Sequence, residues 1–369
     1  MTFRFRIAVL LLALLPLAEA SAGALSAPKK SPGDPGGNQI PPRRPHKAKH
    51  TASARAVAAA VDAAKDDVSA GEDPMVREAA VSALGSLQGT LLAIDPATGR
   101  ILAMVNQKLA LSEGAQPCST IKLAVALAAL NENVVTPETW IRTGSYWDVN
   151  LTEALAMSNN AYFEEMGRRL GFAKVSEYAR QFGLGELAGL NIAGEHSGIF
   201  PTHEPAASQG GVGRLCSYGE GISMTPLQLG ALVSAIANGG TLYFLQHPSS
   251  AEEVAAFHPQ IKRHLEIAPA ISDMSMGMMG AVIYGTARSL RRSFTDEEVL
   301  GKTGTCSSEG ARLGWFASWT DSEAGHIVVV VLLRGGASAD GPKAAEVAGK
   351  FYRSLYDHNF FSGAAVSAR

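Results

Sequence analysis

Three short motifs fall in a fixed order along this chain: Ser119-Thr120-Ile121-Lys122, then Ser158-Asn159-Asn160, then Lys302-Thr303-Gly304-Thr305. A fold that uses all three must bring a helix start, a tight turn and a strand to one place. Each motif is weak alone. Ser26-Ala27-Pro28-Lys29 has the same S-x-x-K spacing inside a Pro-rich stretch, where it carries no chemistry. Together the three supply a nucleophile, a proton carrier and a carboxylate anchor.

The chemistry sets demands on the fold. Ser119 and Lys122 are three residues apart at the start of an expected helix, so they share a face. A serine hydroxyl is a poor nucleophile until a base takes its proton. Lysine does this only when neutral, and from an ordinary value of about 10.4 that needs a drop of ~3 units, or ~4 kcal/mol. Burial and a second cation supply such a drop together, and Lys302 is the evident second cation. The helix start also favours negative charge developing at Ser119. A Ser158 hydroxyl between two lysines relays a proton to a leaving amine. Asn160 offers a donor and an acceptor to a substrate amide, whereas Asn159 is read as a structural amide. Gly304 on a strand edge lets a substrate backbone come close and add as a further strand. Lys302 and the Thr305 hydroxyl, with Thr303 between them, are expected to hold a terminal carboxylate. The backbone N–H groups of Ser119 and Thr305 are expected to form an oxyanion hole.

The rest of the chain gives the frame. Arg4 and Arg6, the apolar run Ile7 to Leu17, and Ala18-Glu19-Ala20 read as a cleaved export signal over residues 1–20, with an uncleaved anchor as the rival. Residues 21–50 are rich in Pro, Gly and Lys and read as a disordered linker. Residues 51–74 form an Ala-rich helical lead-in, continuing as helix through Met75 to Leu84. Residues 75–358 form the catalytic domain, and 359–369 a tail. Thr90 to Ile94 and Ile101 to Val105 make a hairpin around Asp95-Pro96-Ala97-Thr98-Gly99. Helices are expected over Lys122 to Leu130, Leu151 to Met157, Thr225-Pro226 to Ala237, and Lys343 to Tyr356. Val299 to Cys306, Leu313 to Trp319 and His326 to Leu333 read as strands. Ile327 to Leu333 is apolar on both faces, so it belongs at the centre of a sheet. The expected class is α+β, an αβα arrangement of one antiparallel sheet covered by helices, with a helical insert.

Several chemistries lack their residues. The net charge of −2 over 369 residues points to no nucleic-acid or membrane partner. The nine histidines show no metal-ligand spacing, so neither metal nor cofactor is expected. No G-x-S-x-G elbow occurs, and Cys118 as nucleophile has no evident His base. Cys118, Cys216 and Cys306 allow at most one internal bridge; a bridge beside the motifs and three separate buried thiols both fit.

The ordered motifs resemble those of β-lactamases and penicillin-binding proteins. The likeness to a penicillin-binding protein transpeptidase domain extends over about residues 75 to 356. Ala93 to Met104 is similar to the family's first hairpin, and Glu153 to Phe163 to the segment around its middle motif. Tyr218-Gly219-Glu220-Gly221, Thr225-Pro226-Leu227-Gln228, Ala237-Asn238-Gly239-Gly240, Gly285-Thr286-Ala287 and Gly301-Lys302-Thr303-Gly304-Thr305 continue it. Cys118 and Cys306 depart from the family's usual Gly and Ala. The resemblance implies Ser119 as nucleophile, Lys122 as base, Ser158 and Asn160 as the middle motif, and Lys302 with Thr305 as the anchor. It implies an exported, periplasmic or extracellular D,D-transpeptidase or D,D-carboxypeptidase. The substrates would be peptidoglycan stem peptides, and β-lactams would be covalent inhibitors. Tyr218 and Glu220 would line the cleft by the same likeness. A fast-deacylating β-lactamase and a non-catalytic sensor domain are the rival functions. Glu195, a candidate deacylating base, is read as structural.

Overall fold

The computed structural model describes residues 64–144, 147–320 and 326–361. The expected signal (1–20), linker (21–50), most of the lead-in and most of the tail lie outside the described residues. The described end of the lead-in, residues 64–73, is turns and bends, not the helix expected through that stretch. Among the described residues the first helix is α1 (Pro74–Leu84). Asp73 caps it by accepting from the Val76 N–H at 3.0 Å, and Pro74 leaves no N–H unpaired.

From α1 the chain enters the hairpin β1 (Gly89–Asp95) and β2 (Arg100–Val105). A long, mainly helical insert follows. It starts with α2 (Gln107–Ala110), a 3-10 turn (Cys118–Ile121) and α3 (Lys122–Asn131). A small strand pair, β3 (Ile141–Arg142) and β4 (Asp148–Val149), precedes α4 (Leu151–Ala156), α5 (Asn160–Gln181), α6 (Gly211–Tyr218) and α7 (Pro226–Ala237). The insert ends with β5 (Thr241–Tyr243), α8 (Ala251–Ala255), β6 (Ile261–His264) and α9 (Ala268–Ile283). A second 3-10 turn (Arg288–Arg292) leads to β7 (Val299–Ser308), β8 (Ala311–Thr320), β9 (Val328–Gly335) and α10 (Gly341–Asp357).

The main sheet has the order β2-β1-β9-β8-β7, with every neighbouring pair antiparallel. The apolar run at Ile327 to Leu333 therefore lies at the centre, as its two-faced pattern requires. Alternation along β9 divides its side chains between two cores. Val328, Val330 and Leu332 pack with Leu92, Trp315 and the helices of the insert. Val329, Val331 and Leu333 pack with Leu91, Phe316 and the inner faces of α1 and α10. A period of two along the strand thus produces three layers. β7 has a neighbour on one side only, and its open edge meets the insert.

Candidate active site

Ser119 sits in the 3-10 turn that runs into α3. The turn is held from within: Thr120 Oγ1 donates to the Pro117 carbonyl at 2.7 Å. Cys118 has a φ of 52°, which swings the chain sharply just before the serine. Gly219 packs behind this bend, where a Cβ would lie 2.4 Å from Pro117 Cγ. Cys118 is bonded to Cys306 at the end of the Lys302 motif, with Cα atoms 5.6 Å apart. Of the two readings of the cysteines, the bridge is the one realised. Cys216 is free and buried, and burial pushes its thiol far above the ordinary value.

Ser158 takes a left-handed conformation, φ 57°, in the corner between α4 and α5. Asn159 then caps α5 by accepting from the Tyr162 N–H at 3.0 Å, the structural role expected of it. The corner aims Ser158 and Asn160 at Lys122. Lys122 Nζ donates to the Ser158 carbonyl at 2.7 Å and to Asn160 Oδ1 at 2.6 Å, and lies 3.1 Å from Ser158 Oγ. On the other side, Lys302 Nζ donates to Ser158 Oγ at 2.8 Å and to the Thr303 carbonyl at 3.0 Å. The two lysines thus converge on one hydroxyl.

Two ammonium groups on one hydroxyl repel each other, and both lysines are fully buried. Burial, then the Lys302 charge, hold Lys122 well below its ordinary value, against a smaller opposing pull from Glu164. Burial brings Lys302 down to about 7. Lys122 Nζ has three oxygen partners here; on losing a proton it keeps its bonds to the two carbonyl oxygens and turns its lone pair to the Ser158 hydroxyl, which itself accepts from Lys302.

A cleft of about 800 Å³ opens above this chain of groups, lined by Ser119, Ser158, Asn160, Thr303 and Thr305. Lys302 lies behind the surface; Thr305 is the exposed member of its motif. Thr305 Oγ1 accepts from the Gly341 N–H at 2.8 Å, which leaves its hydrogen for a ligand. Thr303 donates to Thr286 Oγ1 at 2.6 Å. Met157, Tyr284, Arg288 and Arg292 also line the cleft. Reasoning from motifs missed these four, because they follow or precede the motifs with no pattern of their own.

Two expectations need refinement, and a third holds as stated. Gly304 leaves space for this chain rather than only for a ligand. A Cβ there would lie 2.9 Å from the Pro117 carbonyl oxygen and 3.3 Å from Cys118 Cβ, so the glycine seats the Ser119 turn against β7. Tyr218 and Glu220 are not in the cleft lining. Arg214 draws them away, binding the Glu220 carboxylate and lying 4.5 Å over the Tyr218 ring. Glu195 accepts from the Ala188 and Gly189 N–H groups at 2.7 and 3.0 Å, the structural role expected of it.

Comparison with known proteins agrees with this geometry. Residues 89–353 match the family model described as penicillin binding protein transpeptidase domain. Stage V sporulation protein D of Bacillus subtilis is 27% identical over 316 residues, covering 71% of this chain and 48% of that protein. Peptidoglycan D,D-transpeptidase MrdA of Haemophilus influenzae is 25% identical over 346 residues, covering 72% and 53%. The chain thus spans about half the length of the curated relatives it matches. Among solved structures, the TP domain of Burkholderia pseudomallei penicillin-binding protein 3 superposes with a TM-score of 0.67 at 19% identity, covering 79% of this chain and 95% of that one. Pseudomonas aeruginosa PBP2 gives 0.63 at 23%, covering 78% and 74%. These structures share the fold, and with the family match spanning both hairpin and terminal helix, the chain belongs to the penicillin-binding protein transpeptidase domain family.

Proposed function

We propose that this protein is a penicillin-binding serine acyltransferase, a D,D-transpeptidase or D,D-carboxypeptidase acting on peptidoglycan stem peptides outside the cytoplasm. The observation that carries the reading is the convergence of Lys122 and Lys302 on Ser158 beside Ser119.

Ser119 Oγ attacks the carbonyl carbon of the penultimate D-Ala, and its proton passes to neutral Lys122. The tetrahedral oxyanion is held by the N–H groups of Ser119 and Thr305; losing one such donor costs about 10²–10³ in rate. Thr305, its hydroxyl hydrogen uncommitted within the chain, takes the terminal carboxylate, and the charge of Lys302 behind it favours the same anion. Collapse breaks the amide bond. The departing D-Ala amine takes a proton returned from Lys122 through the Ser158 hydroxyl. The acyl-serine then passes its acyl group to an amine of a second stem, or to water. A β-lactam acylates Ser119 in the same way and leaves slowly. The fixed role of Glu195 in its loop disfavours the β-lactamase alternative, which needs a base for rapid deacylation. The export signal expected over residues 1–20 and the Cys118–Cys306 bridge both favour an oxidising compartment.

Fluorescent penicillin is expected to label the wild type and not Ser119→Ala, with steady-state hydrolysis of a chromogenic cephalosporin remaining slow. Rapid turnover would favour the β-lactamase. An unlabelled, folded wild type would favour a non-catalytic binding or sensor domain.

A further inference from the structure

The cleft carries more charge than acyl transfer at Ser119 uses. Its charged lining residues are Arg288, Arg292, Asp340, Lys343 and Glu346. Three of them are engaged within the chain. Asp340 caps α10 by accepting from the Lys343 N–H at 2.8 Å, and it lies 3.8 Å from Arg312. Glu346 pairs with Lys343 at 2.9 Å and with Lys350 at 3.0 Å. Arg288 and Arg292 are different. Both are exposed, and among the described residues neither side chain forms a hydrogen bond or an ion pair. The next acidic run, Asp296 to Glu298, lines a separate cavity with Arg291. Asp296 is also held by Arg353 at 3.0 Å.

The base that carries the two arginines is fixed. Ser289 Oγ donates to the Pro342 carbonyl at 2.5 Å, which pins the 3-10 turn to the start of α10. Leu290 beside it is buried. Two guanidinium groups on an anchored turn, facing a cleft whose own carboxylates are spoken for, make a site for an anion from outside. Arginine matches a carboxylate with two parallel N–H bonds.

We infer that Arg288 and Arg292 form a subsite for a second carboxylate of the peptide substrate, separate from the terminal carboxylate at Thr305. The inference rests on the acyl-transfer reading above. The carboxylate arrives either on the acyl donor or on the acyl acceptor. Because the arginines are exposed and screened by salt, selection is modest, about tenfold.

The test compares a peptide ending in D-Ala-D-Ala that bears a free side-chain carboxylate with the same peptide amidated. Wild type is expected to favour the free acid about tenfold in kcat/KM for acylation. The preference should fall to near one in the Arg288→Ala/Arg292→Ala double variant and return in part in the Arg288→Lys/Arg292→Lys double variant. A ratio taken within one variant cancels any general loss of folding or rate. If acylation shows no preference but aminolysis of the preformed acyl-enzyme does, with the same arginine dependence, the subsite serves the acceptor. Ratios that are the same in wild type and double alanine variant for both steps overturn the subsite and leave acyl transfer standing. Failure of every substrate and of penicillin to acylate the wild type defeats the functional reading instead. Calorimetric binding of the two peptides to Ser119→Ala then still decides the subsite, which is lost if their affinities are equal.

Discussion

At the scale of single residues, the site turns on how little room its two ammonium groups have. Lys302 is buried with two oxygen partners, and its value falls to about 7 from an ordinary 10.5. Between those values the unfolded chain holds a proton that the folded chain has released. Stability must therefore rise as pH climbs through that window, and flatten below it, where both states are protonated. Urea unfolding from pH 7 to 10 should show this rise in wild type and a smaller one in Lys302→Met, where buried Lys122 alone still supplies it; equal slopes would remove the buried-lysine account of Lys302. The proposed catalytic set was legible because Ser119, Lys122, Ser158, Asn160 and Lys302 have fixed spacings and residue types whose chemistry needs one another. Arg288, Arg292 and Tyr284 were not, because their use depends on where the cleft runs, which no local spacing encodes. Tyr218 and Glu220 lie outside the lining of the cleft for a related reason: Arg214, one helical turn before Tyr218, supplies a partner that the motif alone does not reveal.

Among the elements, β7 and the Ser119 turn behave as one part. Gly304 leaves the space that Pro117 and Cys118 fill, and the Lys302 ammonium and the Cys306 sulfur leave the same strand for the same side of the insert. A methyl group at 304 meets a backbone oxygen, which cannot step aside without moving the turn. Gly304→Ala is expected to lower the penicillin acylation rate by about 10²-fold, the scale of a 1 Å misplacement, while costing only ~1–3 kcal/mol of stability. Stopped-flow labelling beside a urea melt checks both; an unchanged labelling rate would dissociate strand from turn. Most of the sheet could be read in advance, since β9 is apolar on both faces and β1–β2 flank an Asp-Pro-x-x-Gly turn. The helical insert was only partly readable. In α5, Gly171 breaks the helical geometry with φ 73°, and the β3–β4 pair is two residues per strand, too short for any period to show. The helix over Met75 to Leu84 was readable, but residues 64–73 before it were not, because composition gives no sign that Asp73 and Pro74 open a new helix after a run of turns.

For the molecule as a whole, the Cys118–Cys306 bridge closes a ring with a sequence separation of 188 and ties the helical insert to the edge of the sheet. Closing so long a loop restricts the unfolded chain strongly, and native bridges typically contribute about 2–4 kcal/mol. Reductant, or Cys118→Ser, should lower the unfolding free energy by about that amount in urea. Thiol titration in denaturant should count one free group, Cys216, before reduction; three before reduction, or an unmoved midpoint, would exclude the bridge. The ring also imposes an order on assembly. One half-cystine lies near the threshold of the insert and the other in β7, so no nascent chain can join them until all the intervening sequence has been made. Ser119, the proposed nucleophile, is consequently secured among the last parts of the molecule, and a chain stalled before β7 would carry it untethered.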